Sequence, residues 1–138
     1  MSLARPERDI AQYLLIQAEA LRQAGRRELL SSALSLVEVM LSENPEPVFL
    51  APAYLLQGRC LRGLGHGEEA LDAYRQALQV ERRFPQVRTG ADLEFGWAVV
   101  EHARTDLYDE ALVYLEASAA PSPFPVDVYR RHAILALI

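Results

Sequence analysis

The sequence predicts an all-α protein built from three helical hairpins and one further helix. Apolar residues recur every three or four positions along most of the 138-residue chain, which is the spacing of amphipathic helices. Glycine and proline clusters interrupt these stretches, and similar residues return about 40 positions later. We therefore expect one domain over 1–138, with hairpins over 7–44, 52–84 and 92–120 and a terminal helix over 126–138.

The first hairpin is predicted from a helix over 7–24 and a second over 26–42. Gly25 separates them, because glycine readily adopts the positive φ that ends a helix. The positions expected to face inward are Ile10, Tyr13, Leu14, Ala18, Leu21, Leu30, Leu34, Val37 and Leu41. The connector over 44–52 contains three prolines, which stop one helix and start the next. Its apolar residues, Val48 to Leu50, are expected to pack down.

The central hairpin is the clearest, with helices over 53–64 and 68–82. The turn between them contains three glycines, at 63, 65 and 67. Gly58 on the first helix, and Ala70 and Ala77 on the second, are small where two helices would cross most closely. This pattern predicts an αα-hairpin.

The first and central hairpins share a 40-residue offset, which indicates a degenerate repeat. The matching pairs are Ala18 and Gly58, Leu21 and Leu61, Gly25 and Gly65, Leu34 and Tyr74, Val37 and Ala77, and Pro45 and Pro85. A third hairpin is expected from a helix over 93–104, with Asp92 as N-cap, and a turn and helix over 105–115. Prolines over 120–125 break the chain before the last helix. That helix ends HAILALI, so we expect it to be docked on the preceding pair; self-association or truncation of a longer chain are the alternatives.

The central hairpin resembles the tetratricopeptide repeat, whose pattern is W-x2-L-G-x2-Y…A-x3-F…P. The matching residues are Tyr54, Gly58, Leu61, Ala70 and Tyr74, while Gln57 departs from the family leucine and Pro85 comes late. In the third hairpin the first helix matches poorly. A HEAT-type repeat of about 40–47 residues is the competing interpretation. The resemblance implies a right-handed α-α superhelix, a solenoid with a concave groove lined by first helices.

Composition excludes several classes of function. The net charge of −5 argues against general nucleic-acid binding. No apolar run reaches the roughly 18–20 residues of a membrane span, and the N-terminus lacks a signal-peptide core. The single cysteine, Cys60, allows no internal disulfide, which suits a cytoplasmic location. All 14 basic residues are arginine, which favours a GC-rich bacterial gene.

Catalytic sets are not predicted. His66, His102 and His132 lie on different predicted hairpins without metal-binding spacing. Cys60 lies inside a helix, where a buried structural thiol is the expected role. The glycine-rich turn lacks the strand and lysine of a phosphate loop. We expect no enzyme activity, no cofactor and no metal.

The predicted site is therefore a surface. In the family that the chain resembles, groove-facing positions correspond here to Leu15, Glu19, Arg22, Leu55, Arg59, Arg62, Gly96, Val100 and Ala103, with Arg104 beside them. Three arginines, Arg22, Arg59 and Arg62, would converge and grip an acidic peptide or a terminal carboxylate. The alternative is a solvated face on which Glu19 neutralises Arg22 at i,i+3 spacing.

These features predict a non-catalytic adaptor or scaffold that binds a protein or peptide, without nucleic acid or membrane. The alternatives are a small chaperone of the bacterial secretion type and an assembly module of a larger regulator. A charged groove favours the adaptor, and an apolar groove favours the chaperone. A homo-oligomer formed through the apolar C-terminal helix is a further partner hypothesis. Trp97 is expected to pack between neighbouring hairpins, with a partner contact as the minority interpretation.

Overall fold

The computed structural model describes residues 4–117 and 125–138, with side chains described over 10–117 and 130–138. The described residues contain seven α-helices and one 3₁₀ turn, and no described residue lies in a β-strand. The all-α prediction is confirmed. The chain forms two compact units, over residues 1–89 and 90–138, and each is described separately.

The first unit contains two helical hairpins. Helices α1 (Ala4–Gln23) and α2 (Arg27–Ser42) form the first, and helices α3 (Pro47–Gly63) and α4 (Gly67–Arg83) form the second. Helix α3 packs against α1, α2 and α4, so it lies at the centre of this unit. The core consists of small and aliphatic side chains from the first three helices: Ala18, Ala33, Val37, Met40, Ala53, Leu56 and Cys60.

The predicted close crossing at Gly58 is present between α3 and α4. A Cβ placed on Gly58 would lie 2.6 Å from Cδ1 of Tyr74, whose side chain is fully buried. A glycine also allows close packing between α2 and α3. A Cβ on Gly63 would lie 3.0 Å from Cδ1 of Leu30, which occupies the position in the first hairpin that corresponds to Ala70 in the second. Small residues on α3 therefore let large neighbours pack closely.

The turn after α3 follows the glycine prediction. Gly65 has φ of 87°, the His66 N–H donates to Leu61 O at 2.8 Å, and the Gly65 N–H donates to Arg62 O at 3.1 Å. This pair of bonds is the Schellman arrangement, which satisfies carbonyls at a helix end. Gly25 ends the first hairpin's leading helix in the same left-handed region, with φ of 75°.

The start of α3 was predicted wrongly. Residues 47–52 were expected to belong to a connector, but α3 begins at Pro47. Proline is tolerated in the first turn because the N–H groups there have no intrahelical acceptor in any case. Pro52 lies inside the helix and removes one backbone bond. Phe49 packs against the core as expected, whereas Val48 is 49% exposed.

Helix α1 also departs from expectation. Ile10 and Tyr13 were predicted to face inward, but they are 59% and 61% exposed. The helix carries apolar residues on two faces, and the core takes the face with Ala11, Leu14 and Ala18. Ile16, 58% exposed, lies with Ile10 and Tyr13 at three-residue intervals on the uncovered side.

The second unit contains helices α5 (Ala91–Glu101), α6 (Tyr108–Ala117) and α7 (Pro125–Leu137), with the 3₁₀ turn (Thr105–Leu107) leading into α6. Leu93, Leu115 and Ile134 form its core cluster, and the rings of Phe95 and Tyr114 meet edge to face at 5.1 Å. Helix α7 packs against α5, so docking of the terminal helix is observed within this unit. The predicted break over 120–125 lies, apart from Pro125, outside the described residues.

Two predictions in the second unit were wrong. Asp92 is not the N-cap of α5, because the helix begins at Ala91 and Gly90 occupies the cap position. The helix ends at Glu101 instead of Arg104, because Ala103 adopts a left-handed φ of 51°. Trp97 is 36% exposed, and its packing between neighbouring hairpins stays a prediction.

Candidate functional site

The residues predicted to line a groove divide between the two units. Leu15, Glu19, Arg22, Leu55, Arg59 and Arg62 lie on α1 and α3 of the first unit, and Val100 and Arg104 lie near the end of α5 in the second. Helices α1 and α3 pack directly against each other, and the charge of Arg59 on α3 acts on Glu19 of α1, so these two side chains lie near each other. We call Glu19, Arg22, Arg59 and Arg62 the arginine cluster.

A two-bond ion pair lies within α1. The Arg22 Nε donates to Glu19 Oε2 at 2.9 Å, and Arg22 Nη2 donates to Glu19 Oε1 at 2.5 Å. The Gln23 amide also donates to Glu19 Oε1, at 3.2 Å. The pKa of Glu19 is lowered, first by the Arg22 hydrogen bond, although partial burial opposes this. The i,i+3 neutralisation considered from the sequence is therefore present, and it engages two donor groups of Arg22.

Arg59 brings further positive charge from α3. Its charge also lowers the pKa of Glu19, and its side chain is half-buried, as is that of Arg62. The two arginines are three residues apart on one helix and therefore lie on the same face. The arginine cluster thus consists of three arginines and one glutamate in a chain whose net charge is −5.

The two leucines predicted for the groove have different surroundings. Leu15 is half-buried and packs against the core of the first unit. Leu55 is 7% exposed, so it belongs to the interior and offers almost no surface to a ligand. The side chains that this surface presents to solvent are consequently mainly charged.

The residues predicted at the end of α5 are dispersed. Val100 is half-buried against the core cluster of the second unit. Arg104 lies beyond the end of α5 and donates from Nε and Nη2 to Asp106, at 3.1 and 3.0 Å. Gly96 was placed in the groove from the family pattern, but it is buried. A Cβ placed on Gly96 would lie 3.1 Å from Cγ2 of Ile134 and 3.5 Å from Cδ1 of Leu115.

Cys60 is fully buried, and the charges of Arg22 and Glu19 act on its thiol. Burial raises the pKa of its thiol to about 11, although the charge of Arg22 opposes this shift. The thiol is therefore protonated at neutral pH, and a thiolate is the reactive form. This supports a structural role for Cys60.

Metal-ligating residues do not cluster in the described residues. No group of three or more His, Cys, Asp or Glu side chains there is arranged to hold a metal ion. The three histidines are each exposed. Across the part of the chain that the structure describes, no helix combines the length and apolar character needed to cross a membrane.

Sequence analysis missed a set of charged residues in the second unit. Asp92 and Glu94 on α5 are 5% and 8% exposed, and they pair with Arg131 and Arg130 of α7. The adjacent arginines at the start of an otherwise apolar segment were the available signal.

The exposed apolar side chains on α1 were missed because periodicity alone does not say which of two apolar faces is covered.

Comparisons of the chain with protein-family models, curated proteins and solved structures found no match. Function must therefore be inferred from the described side chains.

Proposed function

We propose that this protein is a non-catalytic adaptor that binds an acidic segment of a partner protein on the surface shared by α1 and α3. The observation that carries the proposal is that Arg22 on α1 and Arg59 on α3 both act on Glu19, while Arg62 lies one turn from Arg59 on the same face of α3. Carboxylates are the groups that such guanidinium sets bind best, because the fork of donors matches two carboxylate oxygens.

We further propose that the helices form tetratricopeptide-like repeats stacked into a right-handed superhelix. The 40-residue offset, the packing of α3 against both helices of the preceding hairpin, and the contact of Gly58 with Tyr74 support this arrangement. In such a solenoid the first helices of successive hairpins lie side by side and line one surface. The contact between α1 and α3 supports the same assignment.

The partner chemistry follows from how the cluster is built. Glu19 engages Arg22 through two bonds and so orients its guanidinium, while Arg59 and Arg62 bring two further guanidinium groups from α3. A peptide with acidic side chains, or with a free terminal carboxylate, has the chemistry that these guanidinium groups bind best. A half-buried site strengthens these contacts relative to fully exposed ion pairs.

The test is fluorescence anisotropy with a labelled dodecapeptide of alternating glutamate and leucine. One version ends in a free carboxylate and one in an amide, so that side-chain and terminal recognition are separated. We expect binding by the wild type and at least tenfold weaker binding by an Arg59→Glu/Arg62→Glu double variant. Circular dichroism checks that both proteins have equal helicity.

The matched control is an Arg82→Glu/Arg83→Glu double variant in the last turn of α4, where both side chains are exposed. Both double variants change the net charge by the same amount, so general repulsion of the peptide is equal. Equal loss of binding in the two variants, or no loss in either, would contradict a site on α1 and α3.

A chaperone of the secretion type is the second candidate. Its specific support is the exposed apolar row of Ile10, Tyr13 and Ile16 on α1. The surface shared by α1 and α3 is charged, and its Leu55 is interior, which favours the adaptor. Suppression of aggregation of a denatured client that is lost on Tyr13→Glu, but retained on Arg59→Glu/Arg62→Glu, would favour the chaperone instead.

A further inference from the structure

The connection between α4 and α5, over residues 84–90, is the longest stretch between two helices within residues 4–117. The other connections in that range cover 24–26, 43–46, 64–66 and 102–104. Exposed side chains predominate in it, at Phe84, Pro85, Gln86 and Arg88. The boundary between the two compact units falls just after Thr89. Exposed segments at such boundaries are where proteolytic cleavage concentrates, so we call 84–90 the α4–α5 connector and ask which of its bonds a protease would cut.

Arg88 gives the α4–α5 connector a specific bond for cleavage. It is the only basic residue over 84–90, and its side chain is exposed. A protease that selects arginine holds the guanidinium against a carboxylate in its specificity pocket and cuts the bond that follows. Within the α4–α5 connector that bond joins Arg88 to Thr89.

Exposed arginines elsewhere in the described residues are less suited to cleavage. Arg26 is the residue immediately before α2, so a protease that takes an extended chain would have to unwind that helix. Arg82 and Arg83 lie in the last turn of α4, where the same cost applies. Local opening of this kind requires free energy, whereas the α4–α5 connector has no helix to lose.

One side chain of α4 holds the bond that would be cut. The Thr89 N–H, which belongs to the Arg88–Thr89 peptide group, donates to Glu81 Oε1 at 2.8 Å. The Val87 N–H donates to Phe84 O at 2.9 Å and closes a turn just before it. A serine protease delivers a proton to the leaving nitrogen, which here is the nitrogen of Thr89. The bond to Glu81 must therefore open before the chain enters a protease cleft.

We propose that the Arg88–Thr89 bond is a processing site for an arginine-specific protease and that Glu81 guards it. Water adds across the bond: Arg88 keeps the new carboxylate and Thr89 keeps the new ammonium group. That ammonium forms beside the carboxylate of Glu81, so an ion pair replaces the hydrogen bond of the intact chain. Cleavage leaves α1 to α4, with the arginine cluster, in one fragment and α5 to α7 in the other.

The first experiment is limited digestion of the full chain with trypsin under native conditions, followed by mass spectrometry. We expect the first products to be residues 1–88 and 89–138. Arg88→Gln should abolish both products. Arg83→Gln is the matched control, because it removes an exposed arginine five positions earlier and should leave both products unchanged. A first cut at any other arginine would overturn the proposal.

The second experiment tests the guard by the initial rate of cleavage at Arg88–Thr89. We expect Glu81→Ala to raise this rate about tenfold, because cleavage follows the population of the opened connector. Glu81→Gln keeps an oxygen acceptor and should change the rate less than about twofold. Glu69→Ala is the control, since it removes an exposed carboxylate from the same helix with the same change in charge.

Cleavage after Arg59, which lies inside α3, reports global unfolding in the same digests. It should stay slow in every variant. An unchanged rate at Arg88–Thr89 in Glu81→Ala, or an equal rise at Arg59, would overturn the guarding role of Glu81.

Discussion

At the scale of single residues, the packing of α3 depends on side chains that are absent. Gly58 admits the buried ring of Tyr74, and a Cβ there would lie 2.6 Å from its Cδ1. The ring is part of a packed interior and not the end of a flexible chain, so it cannot move aside cheaply. We expect Gly58→Ala to lower the free energy of unfolding by about 1–2 kcal/mol, since overpacking outweighs the improved helix propensity. Urea denaturation measures the change.

Gly67 supplies the control for that substitution. It begins α4, and nothing lies within 4 Å of the position its Cβ would occupy. Gly67→Ala should be neutral or stabilising by up to about 1 kcal/mol, because alanine restricts the unfolded chain. If Gly58→Ala proved equally harmless, the close crossing of α3 and α4 would be wrong. Rescue of Gly58→Ala by Tyr74→Leu would support it.

At the scale of elements, the end of α5 shows how local geometry shortens a helix. The Arg104 N–H donates to Val99 O at 2.9 Å and the Ala103 N–H donates to Val100 O at 3.1 Å, with Ala103 at φ of 51°. This is the arrangement found at Gly65, but here an alanine carries the left-handed backbone. We expect Ala103→Gly to stabilise the protein by about 0.5–1 kcal/mol, because the strain of a Cβ in that region is removed. Thermal and urea unfolding would test it.

Gly65→Ala is the reciprocal change and should lower the free energy of unfolding by about 1 kcal/mol. The added Cβ would meet no atom within 4 Å, so the cost comes from the strain of a left-handed backbone in a residue with a side chain. A destabilising Ala103→Gly would contradict this account of where α5 ends.

The elements also show what sequence reasoning can reach. Amphipathic periodicity and Gly25 and Gly65 predicted the hairpins of the first unit, because those signals act within a few residues. The start of α3 was missed because Pro47 marks a helix start as readily as a loop. The burial of Gly96 was missed because it depends on α7, a helix distant in sequence.

In the candidate site, too, local features were predictable from the sequence and features that depend on tertiary packing were not. The i,i+3 pairing of Glu19 with Arg22 was predictable because it is local. The burial of Leu55 was not predictable, because it depends on the packing of the whole unit. The end of α5 before Arg104 was not predictable either, because it depends on a turn formed by a non-glycine residue.

At the scale of the whole molecule, stability should depend on pH through ionisable groups whose pKa values are shifted in opposite directions by folding. Glu19 has a lowered pKa, so its contribution is present above its unfolded pKa and is lost as pH falls. Asp92 has a raised pKa, because burial outweighs the attraction of Arg131, so its contribution is present at low pH and is lost as pH rises. These two groups partly offset each other under acidic conditions, and the alkaline limb is the clearer test.

Cys60 controls part of that alkaline limb. Its thiol has a pKa of about 11 in the folded protein, against an ordinary value of 9.0. The contribution is therefore complete below pH 9 and is lost as pH rises towards 11, because the unfolded thiol ionises first. The slope approaches about 1.4 kcal/mol per pH unit. Urea denaturation of wild type and Cys60→Ala between pH 8 and 11 should show the stability of the wild type falling relative to the variant, even if the variant is less stable at pH 8. A constant difference across this range would mean that the folded thiol ionises as freely as the unfolded one, which would contradict the burial of Cys60.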